Sequence, residues 1–346
     1  MRVAVDAMGG DQAPEVVIQG AIRAVDTHKI QVILVGDQAV IEEHLLSKGN
    51  VQGIKVHHAD EAVTMDEPPL MAVRHKKRSS IKIAFELIKK KEADAVVSAG
   101  NSGAILTAGI LTVGRIKGVG RPAIAGVFPG QRSPVILIDV GANVDCKPSH
   151  LLEFALMAEV YASVCLGIQH PKVGLLSIGE EGGKGNELVR AARPLFEKKS
   201  LNFVGNVEGR DIFKGNVEII VCDGFVGNVA LKLSEGMADA VRNMLERELE
   251  ASSQGMEFNK MAEKALDRFY STLDYEAFGG APLLGLNGVC VVCHGDASPR
   301  AISNAIGLAA KYVDVRLVEK IALKMKGYEV NGSSNLMNNL EGNSLG

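Results

Sequence analysis

No apolar run in the sequence approaches the roughly 18 residues that a bilayer span needs, so nothing in it reads as a transmembrane helix. Nor does the start have the composition of an export signal: Met1-Arg2 passes straight into a short apolar run that ends at Asp6, which predicts a cytoplasmic protein. An excess of either charge is also lacking. Lys plus Arg number 38 against 41 Asp plus Glu, and a net charge of -3 gives no general attraction to nucleic acid or anionic lipid. Any anionic partner must then be met by a local patch. Aromatic residues are only 4% of the chain and tryptophan is absent. The five cysteines, Cys146, Cys165, Cys222, Cys290 and Cys293, are odd in number and widely scattered, which predicts reduced thiols and no disulfide framework.

Nucleotide and metal signatures are missing as well. Gly179-Glu180-Glu181-Gly182-Gly183-Lys184-Gly185 looks like a P-loop, but three residues intervene where four are needed, and Gly185 stands where Ser or Thr belongs. No GxGxxG follows the first apolar run, which weakens a dinucleotide-dependent dehydrogenase. Cys290-Val291-Val292-Cys293-His294 has the spacing of a c-type haem attachment site. It lies in an apolar β-run, however, where residues at odd spacing point to opposite faces, so the two thiols cannot share a metal. We therefore expect no metal and no cofactor.

What the chain does have is glycine, 38 residues, and a recurring grammar. Short β-branched runs are each followed by Gly, Asp or Asn and then by a longer segment of helical spacing. The clearest runs are 3–5, 32–35, 95–97, 135–138, 173–176, 217–221 and 289–292, and helices are predicted over 14–27, 102–113, 149–166, 186–198 and 299–311. Most of the runs are apolar throughout, as in strands covered on both faces. The expectation is a three-layer α/β/α fold with a mostly parallel, doubly wound sheet, forming a single domain over 1–328. Residues 228–275 are too long and too charged for one crossover helix. Met237, Val241, Met244, Leu245 and Leu249 form one apolar stripe and Met261, Leu266, Phe269 and Leu273 a second, with Ser252-Ser253-Gln254-Gly255 as the turn of a helical hairpin. Its apolar residues Met244, Leu249, Met256 and Phe258 are candidates for contact with a membrane enzyme or a second subunit first, and with lipid as the alternative. The Asn-, Gly- and Ser-rich tail 329–346 is expected to be flexible.

In an open parallel sheet, ligands bind beyond the carboxyl ends of the strands. Six such exits are polar and glycine-rich here: 6–11, 98–103, 139–143, 177–186, 223–228 and 294–296. They are expected to converge on one edge, where main-chain amides and helix N-termini suit a phosphate or a developing oxyanion. The bland alternative is that Gly and Asn merely end strands and cap helices. The basic runs 74–78 and 89–91 are either solvated faces or patches for an acidic or phosphorylated partner.

The opening Met1-Arg2-Val3-Ala4-Val5-Asp6-Ala7-Met8-Gly9-Gly10-Asp11 resembles the start of the PlsX family, the bacterial acyl-ACP:phosphate acyltransferases. The resemblance extends over about residues 1–325. It is carried by 98–104 (SAGNSGA), 114–117 with Arg121-Pro122, 139–145 (DVGANVD), 184–188 (KGNEL), 223–232 (DGFVGNVALK), 279–286 and His294-Gly295, with local departures at Pro282 and at Asp296-Ala297-Ser298. It implies transfer of a long-chain acyl group from acyl carrier protein to inorganic phosphate, giving acyl phosphate for glycerol-3-phosphate acylation in phospholipid synthesis. It also implies a fold like phosphate acetyltransferases and isocitrate-dehydrogenase-like enzymes, a homodimer, and peripheral contact with the membrane or with a membrane-bound glycerol-3-phosphate acyltransferase.

Phosphate is already an oxyanion, so such an enzyme needs positioning and oxyanion donors more than an activated side chain. Candidate phosphate and substrate positions are Gly9, Gly10, Ser98, Gly100, Asn101, Ser102, Gly103, Gly141, Asn143, Gly224, Gly227 and Asn228, with Asn143 and Asn228 assigned to the thioester or its pantetheine arm. His294 is the candidate general acid and Lys184 a cationic alternative; Asn101 completes the catalytic set. Asp6, Asp11 and Asp139 are expected to fix loops, since a carboxylate beside phosphate repels it. Acyl carrier protein is acidic, which makes Arg74, Lys76, Lys77, Arg115, Lys117, Arg121 and Lys184 candidate docking cations. Two other readings stand beside this one: a short-chain phosphotransacetylase using coenzyme A, and a non-catalytic protein that binds acyl carrier protein or phosphorylated metabolites.

Overall fold

Val3, Val5, Val32, Leu34, Ala95 and Val97 pack into one apolar cluster, while the alternating residues Ala4, Ile33, Val35 and Val96 pack into another on the opposite face. Continuous apolarity in these runs therefore does mean burial on both sides. The computed structural model describes residues 1–48, 51–199, 201–251 and 279–328. Its strands are β1 (Arg2–Asp6), β2 (Gln31–Gly36), β3 (Ile54–His58), β4 (Ala95–Ser98), β5 (Ala123–Phe128), β6 (Val135–Ile138), β7 (Lys172–Leu176), β8 (Asn202–Val207), β9 (Ile219–Val221), β10 (Ala281–Leu284) and β11 (Val289–Val292). All lie in one sheet, in the order β3-β2-β1-β4-β11-β10-β5-β6-β9-β7-β8.

The helices are α1 (Glu15–His28), α2 (Gln38–Leu46), α3 (Pro69–His75), α4 (Ser80–Lys89), α5 (Ser102–Thr112), α6 (Pro148–Cys165), α7 (Glu187–Glu197), α8 (Gly224–Ala251), α9 (Pro299–Asp314) and α10 (317–328). Residues of α1, α6 and α9 belong to the first cluster and residues of α4 and α5 to the second, which makes three layers. Side-chain caps start several of these helices. Asn101 Oδ1 accepts from Ala104 N at 3.1 Å, Asn186 Oδ1 from Val189 N at 2.9 Å and Ser298 Oγ from Ala301 N at 3.2 Å.

The sheet is mostly parallel, but its centre is not. β10 runs antiparallel to both β11 and β5, and β5 runs antiparallel to β6. The set β1, β2, β3, β4 and β11 therefore points one way, and β6, β7, β8 and β9 the other. This overturns the expectation that all six polar exits share an edge: those after β1, β4 and β11 lie at one, those after β6, β7 and β9 at the other.

The seven expected strands are all present, the sixth shortened to Ile219–Val221. Four others are added: β3 and β8 are interrupted by polar residues, half of β5 is alanine and glycine, and β10 contains Pro282. Within the excursion at 228–275, α8 supplies a helix that begins four residues earlier, at Gly224. The predicted turn at 252–255, the second stripe from Met261 to Leu273 and the tail lie outside the described residues. Met237, Val241, Met244 and Leu245 sit on α8 with much of their surface exposed. No helix among the described residues is long and apolar enough to cross a membrane.

Candidate active site

The exits of β1, β4 and β11 interlock through their backbones. Asp11 N donates to Gly295 O at 2.8 Å and Cys293 N to Ser98 O at 2.9 Å. Gly9 lies so close to the next exit that a β-carbon on it would stand 2.8 Å from Gly100 N and 2.6 Å from Asp6 Oδ2. Beneath them Asp6 is buried, receiving Ser98 Oγ at 2.7 Å and Met8 N at 3.3 Å, and Ser98 Oγ in turn accepts Gly100 N at 3.1 Å. Burial pushes the Asp6 carboxyl up from its ordinary 3.8, against the pull of these donors. Ser98, itself buried, is thus a support under the loop and presents no hydroxyl to a ligand.

Asn101 is similarly committed. Its Nδ2 donates to Met65 O at 2.9 Å and Glu67 O at 3.3 Å, and its Oδ1 caps α5. The segment between β3 and α3 is thereby drawn over the start of α5, with Met65 Cε 3.0 Å from where a β-carbon on Gly295 would be. Among the described residues, the main-chain N–H groups of Ser102 and Gly103 in the first turn of α5 meet no protein acceptor. These two amides stand at the positive end of an 11-residue helix beside exposed Ser102, an arrangement that suits an anion.

At the other edge Asp139 does for the exit of β6 what Asp6 does for β1. Fully buried, it accepts Ile124 N at 3.0 Å, Gly141 N at 3.2 Å, Ala142 N at 3.0 Å, Asn143 N at 2.7 Å and Asn143 Nδ2 at 2.9 Å. Burial raises its carboxyl above the ordinary 3.8 while the N–H donors lower it. Asn143 Nδ2 spends its other hydrogen on Pro122 O at 2.7 Å, so both amide hydrogens hold the loop together and neither is left for a substrate. Gly224 N donates to Asn143 O at 2.7 Å, which docks the start of α8 on this loop, and exposed Asn228 lies beside Gly141. Lys184, exposed in the loop after β7, is carried on a turn that Asn206 Nδ2 anchors through Glu181 O at 2.9 Å and Lys184 O at 3.3 Å.

Helix α8 joins the two edges. It starts at Gly224 and its ninth residue, Lys232, touches His294 just beyond β11, a span of about 12 Å along the axis. His294 Nδ1 meets Asp296 Oδ1, its Nε2 meets Lys232 Nζ, and Lys232 Nζ donates to Glu235 Oε2 at 2.9 Å. Lys232, Glu235 and Asp296 were not among the residues expected from sequence. Lys232 falls four residues after Asn228, and so on the same helix face, and closes the stretch 223–232 that carries part of the resemblance; both were signals for it.

The candidate docking cations divide by location. Arg74 and Lys77 are exposed at the end of α3, whereas Lys76 is drawn inward by Glu67 Oε2 and Ala62 O, each at 2.7 Å. Arg115 donates to Gly120 O, and Lys117 and Arg121 are exposed in the segment before β5. That segment borders the second edge through Pro122. Their field is felt at His150, whose imidazole is pushed below its ordinary 6.5 by burial first and then by Arg121, Lys147 and Arg115. Cys290 and Cys293 are buried in opposite clusters, and burial pushes the Cys293 thiol up to about 12.

A family model described as "Fatty acid synthesis protein" matches residues 1–320. The chain is 48% identical over 334 residues to a phosphate acyltransferase of Pelotomaculum thermopropionicum, covering 96% of this chain and 97% of that one. It is 52% identical over 327 residues to a phosphate acyltransferase of Citrifermentans bemidjiense, covering 93% of each. In fold it is similar to a phosphotransacetylase from Streptococcus pyogenes, with TM-score 0.60, 17% identity and coverage of 91% of this chain and 94% of that one.

Proposed function

Because this chain belongs to the fatty acid synthesis protein family and is a phosphate acyltransferase, we propose that it moves a long-chain acyl group from the thioester of acyl carrier protein to inorganic phosphate. The observation that carries the reading is the pair of unpartnered amides at the start of α5, framed by three interlocked glycine-rich exits. Phosphate held there lies against main-chain donors, while the carboxyl of Asp6 is buried beneath the loop and held by Ser98 Oγ and Met8 N. Gly9, Gly10, Gly100 and Gly103 allow the ion to approach the backbone; Asn101 and Ser98 act through the loops they hold. Fixing phosphate beside the thioester carbonyl makes the attack local, and donors aimed at the tetrahedral oxyanion stabilise charge as it forms.

The second edge supports a different task. Gly141, Gly224, Gly227 and Asn228 surround the start of α8, whose exposed face carries Val229, Leu233 and Met237 toward the far end. Asn228 and this apolar row suit the pantetheine arm and the acyl chain. Arg74, Lys77, Lys117, Arg121 and Lys184 suit the acidic carrier. The same exposed row on α8 is the feature that fits a homodimer or contact with a membrane-bound glycerol-3-phosphate acyltransferase, which would consume the acyl phosphate.

The test mixes pure protein, long-chain acyl-ACP and phosphate, traps acyl phosphate with hydroxylamine, and runs acetyl-CoA in parallel. Phosphate-dependent loss of the long-chain thioester is expected. Preference for acetyl-CoA would favour the short-chain reading that the phosphotransacetylase fold allows, and no turnover of either would leave a binding protein.

A further inference from the structure

We propose that Lys232 is the proton donor to the departing sulfur, with His294 and Glu235 as the residues that position it; the proposal rests on the phosphate acyltransferase reading above. Lys232 Nζ meets His294 Nε2 and lies 2.9 Å from Glu235 Oε2, while His294 Nδ1 meets Asp296 Oδ1. An ammonium has donors only, so Nε2 must accept, and the ring proton then sits on Nδ1, donated to Asp296. Both ring nitrogens of His294 are thus occupied within the protein, and the imidazole has no proton to offer outward. Lys232 does. Two of its three hydrogens go to His294 and Glu235, and the side chain is 48% exposed, which leaves the third for a group outside the protein. Gly295 follows His294 and is bonded to Asp11, so the ammonium stands beside the same exits that frame the start of α5.

The step balances without a further reactant. A phosphate oxygen bonds to the acyl carbon, the carbon–sulfur bond breaks with its electron pair going to sulfur, and that sulfur takes a proton from Lys232. Hydrogen phosphate enters carrying one proton and acyl phosphate leaves as the dianion without it, and that proton restores the ammonium.

The distinguishing measurement is leaving-group dependence in single turnovers at saturating phosphate, which separates chemistry from release. Lys232→Met and Lys232→Arg are compared with wild type on acyl-ACP and on the S-phenyl thioester of the same acyl group. A thiophenolate gains little from protonation, whereas the more basic alkyl thiolate of the carrier gains much more. The expected result is a loss of about 10²–10⁴-fold on acyl-ACP for both variants, with less than a tenfold loss on the phenyl thioester. Equal losses on the two thioesters would mean that Lys232 positions substrate, and overturn the proposal. So would full acyl-ACP turnover in Lys232→Arg, whose guanidinium keeps the charge but does not give up a proton. If Lys232→Met fails to fold, as judged by circular dichroism, Lys232→Arg carries the comparison alone. A wild-type protein that forms no acyl phosphate from either thioester would overturn the acyltransferase reading itself, an outcome separable from every effect of the variants.

Discussion

Gly227, in the first turn of α8, lies against the carbonyl of Asp139 so closely that a β-carbon on it would overlap that oxygen and stand 3.1 Å from Cys222 Sγ. The obstacle is backbone and cannot swing aside. Gly227→Ala should therefore destabilise the protein by about 3 kcal/mol, at the upper end of overpacking costs. Exposed Asn228→Ala should stay within about 0.5 kcal/mol. Urea unfolding of the two variants checks the contrast, and equal midpoints would refute it.

Asn101→Asp should separate the two jobs of that side chain. Aspartate still caps α5, but its oxygens face the carbonyls of Met65 and Glu67, which Asn101 Nδ2 now satisfies. Helicity is expected to hold, while residues 62–69 become more readily cleaved by protease and the KM for phosphate rises tenfold or more. An unchanged cleavage pattern would show that Asn101 does not hold the segment.

The carboxyl of Asp6, raised from 3.8 mainly by burial, gives a definite pH sign. Folding favours its protonated form, so the stabilising contribution is complete below pH 3.8 and is lost as pH rises through the higher folded value. Relative to Asp6→Asn, which cannot ionise, the wild type should lose stability with rising pH over that window, by at most about 1.4 kcal/mol per pH unit. Denaturant titrations from pH 3.5 to about 7 read the difference; a gap that widens in favour of wild type would reverse the assignment.

Lys76 and Lys77 are neighbours with opposite prospects. Lys77 is exposed, whereas Lys76 is tied to Glu67 and Ala62. Lys77→Glu should raise the KM for acyl-ACP several-fold at low salt, an effect that fades as salt screens it. Lys76→Gln should instead loosen the segment that it fastens, with little change in salt dependence. Identical salt profiles for the two variants would remove residues 74–78 from the docking surface.

The layers of this fold were legible because a strand buried on both faces must be apolar at every position, as Val3–Val5 and Val289–Val292 are. β5 is faint in the sequence because half of Ala123–Phe128 is alanine and glycine, and β10 because Pro282 argues against a central strand. Strand direction leaves no mark in local composition, which is why the reversal through β10 and β5 was not foreseen and the six exits were expected on one edge. The site was legible to the same depth. Glycines and Asn residues at strand exits were found because tight turns demand them. Which way a polar side chain faces is decided by contacts distant in sequence: Ser98 turns inward to Asp6, 92 residues away, and Lys232 meets His294 across 62 residues.

The placing of β11 bears on how the polypeptide emerges from the ribosome. This strand fills the slot between β4 and β10, yet it begins only at Val289. From the emergence of β4 until Val289–Val292 are made, the half-sheet formed first therefore waits with one flank of Ala95–Ser98 bare, a sticky seam that invites foreign strands until β11 closes it.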